Sequence, residues 1–171
     1  MYGCDVDDVP DNASDEDRKK IKDFEGRYTD AVNKLMRNPD RVITVRVPGH
    51  KPFKVTAGEV AANLIKSQVK ALPGEKGEKG AGATNDGRTI TLYDGILDQG
   101  KRSGEFFKNV QERGIMHEGI HWTGTGPRPG DGARSEAGER SVFDPGALGR
   151  GALFNLHQDA YTDAARQLLA P

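Results

Sequence analysis

Cysteine is almost missing: Cys4 is the only one in the chain. That excludes a disulfide framework within the chain and leaves one free thiol on an end expected to be mobile. It does not decide the compartment, because a disulfide-free secreted bacterial protein has the same composition. Net charge is missing too, at −1, so there is no bulk attraction for nucleic acid or an anionic membrane. Neither is an expected partner. No apolar run approaches the ~18 residues of a membrane span, and the acidic start is unlike a signal peptide. An export address, if there is one, is expected elsewhere, for instance on a longer parent chain. Apolar side chains are few, whereas glycine supplies 22 of 171 residues against a usual ~7%. A modest core, long loops and one domain follow.

Residues 1–13, with Asp5, Asp7, Asp8 and Asp11, read as a disordered acidic lead; the EF-hand's glycine and closing glutamate are absent. Residues 14–171 are expected to form the single domain, with helices and a hairpin over 14–88 and the functional half over 89–171. Ser14 can cap a helix whose stripe is Ile21, Phe24, Tyr28, Ala31, Val32, Leu35 and Met36. Asn38-Pro39-Asp40 is its stop. Val42–Val47 and Pro52–Val55 read as a strand pair joined by a turn holding His50, a surface residue. Thr56-x-x-Glu59 is a capping box, and Val60, Leu64, Val69 and Leu72 carry the expected helix to Pro73-Gly74. A flexible Gly-rich loop follows, then the strand Thr89–Tyr93 with a turn at Asp94-Gly95.

The chemistry concentrates in Gly114-Ile115-Met116-His117-Glu118-Gly119-Ile120-His121-Trp122. At ~100° per residue, His117 and His121 project from one face of a helix, close enough to share a metal. Glu118 is rotated away from them, placed to hold a water without ligating the metal. Phe107, Val110, Gly114, His117 and His121 share a stripe, so the histidines are expected to look inward. Gly114 costs up to ~1 kcal/mol in a helix interior and marks a possible break.

Catalytic zinc usually takes three protein ligands. His117 to Gly124 begins the longer metzincin pattern, but that pattern needs a ligand at the position of Pro127, which cannot serve. Thr123–Gly151 reads as a long loop with little periodicity. The remaining candidates are Glu136, Glu139, Asp144, His157 and Asp159. A final helix is expected from about Ala152 to Leu169. It places Phe154, His157, Tyr161, Ala164, Ala165 and Leu168 on one face, with Asp159 turned away towards Asp163. His157 is therefore the favoured third ligand, and Glu136 and Glu139 stand as alternatives. Tyr161, one turn on, is placed to donate to an oxyanion, or else is a core tyrosine.

On these residues the chain resembles the zincin metallopeptidases. His157-Gln158-Asp159-Ala160-Tyr161 followed by Ala164-Ala165 and Leu168-Leu169 is similar to the end of compact zincin toxin domains. Those domains are carried by bacterial polymorphic and RHS-type secreted effectors. The resemblance implies an α+β zincin-like domain with a small sheet, an HExxH helix and a C-terminal helix bearing the third ligand. It implies Zn2+ held by His117, His121 and His157, with Glu118 as base and Tyr161 assisting in peptide hydrolysis. It further implies a protein or peptide substrate, a cognate immunity protein, and delivery into a target cell by a secretion system. The strand Thr89–Tyr93 would then be an edge strand that binds extended peptide. Other readings of the same residues are a binding module with structural zinc, a zinc amide hydrolase acting on cell wall, and a metal-free interaction protein.

Overall fold

The computed structural model describes residues 2–46, 52–76, 83–86, 88–98, 105–120 and 163–169. They form an α+β fold of helices and two small sheets around one continuous apolar cluster. Among the described residues no helix is long and apolar enough to cross a membrane.

Helix α1 runs Asp15–Arg37, and the Ser14 hydroxyl accepts from the Asp17 N–H at 3.1 Å. Three acidic residues in its first turn and Lys34 and Arg37 in its last suit the helix dipole. Its buried face is Ile21, Phe24, Tyr28, Ala31, Val32 and Leu35, while Met36 is exposed. Strands β1 (Val42–Val45) and β2 (Phe53–Thr56) pair antiparallel, Val45 opposite Phe53. The Thr56 hydroxyl then caps α2 (Ala57–Lys66) by accepting from the Glu59 N–H at 3.1 Å.

α2 stops earlier than the expected end near Leu72. Ser67 turns to an extended conformation, and both its N–H and its hydroxyl donate to the Asn63 carbonyl, at 3.2 and 2.7 Å. The Tyr28 hydroxyl takes the Leu64 carbonyl at 2.7 Å. Side chains thus satisfy carbonyls of α2's last turn, which need partners from outside the helix. Gln68–Ala71 becomes strand β3, with Val69 and Ala71 facing the core at strand spacing. Two apolar residues in four cannot separate a period of two from one of 3.6.

A second sheet has the order β3-β5-β4, with β4 at Ala83–Asn85 and β5 at Thr89–Leu92. β3 runs parallel to β5 and β4 antiparallel to it. β5 is therefore central. The expected edge strand at Thr89–Tyr93 is corrected: its N–H and C=O groups serve two neighbours, so it cannot take a third strand.

The N-terminal lead also departs from expectation. Val6 is buried, the Asp7 N–H donates to the Val69 carbonyl at 2.9 Å, and the Ala71 N–H donates to the Asp8 carbonyl at 3.0 Å. This parallel bridge covers the outer edge of β3. The Cys4 and Val6 N–H groups donate to Thr29 and Glu25 of α1. Residues 4–8 are thus a packed strap, with acidic side chains outward and Val6 inward.

Asp94–Leu97 forms one helical turn, α3, where a turn was expected. Helix α4 (Glu105–Ile120) follows and packs against α1, α2, α3 and β4. The terminal helical segment 163–169 adds Ala164, Ala165 and Leu168 to the core and leaves Asp163 outside, the facing expected from its sequence.

Candidate metal centre

α4 is the element that positions the site. From Ile115 to Ile120 every residue is buried, polar ones included. A helix covered all round is a central helix rather than a surface one. It is continuous through Gly114, where an added Cβ would meet, among the described residues, only the Ile96 side chain, its Cδ1 at 2.9 Å. The possible break there is not realised.

His117 and Glu118 sit in the last described turn, 7% and 6% exposed. The helical course needed by the His-x-x-x-His spacing is present up to Ile120. His121, His157, Tyr161, Glu136, Glu139, Asp144 and Asp159 lie outside the described residues, as does His50. Among the described residues no three His, Cys, Asp or Glu side chains come together.

Gly119, between Glu118 and Ile120, has a packing role. A Cβ there would lie 2.7 Å from Leu64 Cγ and 2.9 Å from Val60 Cγ1. The absence of a side chain lets α2 approach the backbone of the motif directly. Two buried amides complete that contact. Asn85 of β4 donates through Nδ2 to the Glu118 carbonyl at 2.7 Å, and Asn63 of α2 donates through Nδ2 to the Gly119 carbonyl at 2.9 Å. Sequence reasoning passed over both. The signal for Asn63 was its place inside the Val60–Leu64 apolar stripe, where an unbonded amide would be costly. For Asn85, in a short strand beside a Gly-rich segment, there was none.

Two turns earlier α4 carries a second buried polar group. Glu112 is fully buried and ion-paired with Lys34 of α1, and the Gln111 Nε2 donates to the Ile96 carbonyl at 2.9 Å. Between the two regions, burial and the positive charge of Arg166 push the Arg113 guanidinium below its ordinary range.

Among the described residues the motif contributes the His117 imidazole and the Glu118 carboxylate on successive positions of α4, side-chain types that zinc sites use as ligand and base. No known family model, curated protein or solved structure matches the chain.

Proposed function

We propose that the chain is a zinc-dependent endopeptidase, a hydrolase acting as an effector or toxin domain on a protein or peptide of the cell that receives it. The observation that carries this reading is the buried His117–Glu118 pair in the last described turn of the central helix, with His121 completing the motif. His117, His121 and His157 would hold Zn2+, with Glu136 and Glu139 as alternatives to His157. The buried face of the terminal segment 163–169, which packs Ala164, Ala165 and Leu168 into the core, supports a third ligand from the chain just before it. Zinc would supply Lewis acidity, lowering the pKa of water and polarising the scissile carbonyl.

Glu118 takes a proton from the attacking water as the new C–O bond forms. It returns that proton to the amine nitrogen as the C–N bond breaks. Burial keeps bulk water from Glu118, and Tyr161 donates to the developing oxyanion. The substrate strand is assigned to β4, the remaining edge of this sheet among the described residues, because β5 is central and the outer edge of β3 is covered. β4 is antiparallel to β5 and touches the catalytic turn through Asn85. An extended peptide paired to β4 by backbone hydrogen bonds is thereby brought close to Glu118.

Glu118→Gln tests the mechanism. The variant should keep its metal and lose hydrolysis of a denatured protein substrate; full activity would sink the assignment. A binding module with structural zinc predicts the same metal content and no hydrolysis by either protein.

A further inference from the structure

We propose that Asn63 and Asn85 are positioning residues for the His117–Glu118 turn, a role that rests on the metal-hydrolase reading above. The carbonyls of Glu118 and Gly119 receive Asn85 Nδ2 at 2.7 Å and Asn63 Nδ2 at 2.9 Å. The donors come from β4 and α2, elements far apart in sequence, and are 1% and 3% exposed. Two directed bonds from two sides fix both the tilt and the rotation of the turn, which apolar packing alone does not.

The turn so fixed carries the first histidine and the glutamate of the motif. A small rotation of it would move both side chains together, and a metal centre tolerates only about 0.5 Å of misplacement. Gly119 supports the same arrangement by admitting α2 close enough for Asn63 to reach. Asn85 has a second consequence, since it links the catalytic turn to the strand along which substrate would lie. Removing partners that bond a ligand's own side chain usually costs about 10–100-fold in metal affinity or activity, and the lower end of that range is the expectation for bonds to the backbone of the turn that carries the ligand.

The test measures zinc affinity of the full chain by competition with a chromophoric chelator, alongside melting temperature. Asn63→Leu and Asn85→Leu are compared with Gln111→Leu, which removes a similar buried bond on the same helix, 2.9 Å to Ile96. Asn63→Ser and Asn85→Ser, which keep a small donor, serve if the leucine variants do not fold. The expected result is zinc binding weakened about tenfold or more in each Asn→Leu variant, partly restored by serine, and within about twofold of wild type in Gln111→Leu. Equal affinity in all variants, or losses that simply follow melting temperature across the three positions, would overturn the positioning role. Absence of zinc binding by the wild-type chain would instead overturn the metal reading beneath it.

Discussion

Replacing each glycine of α4 with alanine separates helix propensity from packing. At Gly119 the new Cβ would sit 2.7 Å from Leu64 Cγ and 2.9 Å from Leu64 Cδ2 and Val60 Cγ1. Ordinary carbon contacts are ~3.5–4.0 Å, so α2 or α4 must move by most of an ångström. Leu64 has little room to give way: it is fully buried, and its carbonyl is held by the Tyr28 hydroxyl. Overpacking costs about 1–3 kcal/mol; with three contacts under 3 Å and Leu64 held in place the upper part of that range, about 2–3, applies, and alanine's helix propensity returns about 1. The net expectation is a loss of about 1–2 kcal/mol, or roughly 2–8 °C in melting temperature for a domain of this size. At Gly114 the only close neighbour among the described residues is the Ile96 side chain, with its terminal Cδ1 at 2.9 Å, which can rotate. Gly114→Ala should therefore be neutral or stabilising by up to about 1 kcal/mol. Urea denaturation followed by circular dichroism reads both. Gly119→Ala as stable as wild type, or Gly114→Ala the more damaging of the two, would refute the packing argument.

Lys34→Met should cost about 2–3 kcal/mol by stranding the buried Glu112 carboxylate, somewhat below a fully dry pair because the Lys34 side chain is 36% exposed. Adding Glu112→Leu should recover most of that loss in the same denaturation assay. Deleting residues 1–8 removes Val6 from the core and the backbone bonds to β3, so it should cost about 3 kcal/mol and promote aggregation through the opened edge, read by light scattering. Burial pushes the Cys4 thiol up to about 12; alkylation at neutral pH should be slow until the protein is denatured, since thiolate is on the order of a thousandfold scarcer than on an exposed cysteine. The backbone N–H groups of Thr89 and Arg88 hold the Asp86 carboxyl below its ordinary range. Its stabilising effect is present above the unfolded carboxylate pKa and lost as pH falls through the lower folded value, so the melting-temperature gap to Asp86→Ala should narrow as the solution is acidified through that range.

Legibility in the sequence followed the length and local character of each signal. α1 was readable because Ser14, a long apolar stripe and Asn38-Pro39 all agree, and its bounds came out at Asp15–Arg37. The start of α2 was equally plain from Thr56 and Glu59. Its end was not, because Ser67 and Tyr28 cap it through contacts that only the folded chain makes. β5 was recognisable as a strand, but its central place depends on β3 and β4 arriving from both sides, which no local pattern records. The strap at residues 4–8 carried a weak clue in Cys4 and Val6 alternating with acidic residues, outweighed by charge. His117 and Glu118 were visible from spacing alone. Asn63 and Asn85 act on backbone carbonyls 56 and 33 positions away, so they emerged only from the fold.

The central claim is that the motif on α4 holds a catalytic metal. Its most direct test is metal analysis of the purified chain beside its Glu118→Gln and His117→Ala variants. About one zinc per chain is expected in the wild type and in Glu118→Gln, and none in His117→Ala. Wild-type protein without zinc, or His117→Ala retaining it in full, would contradict the account.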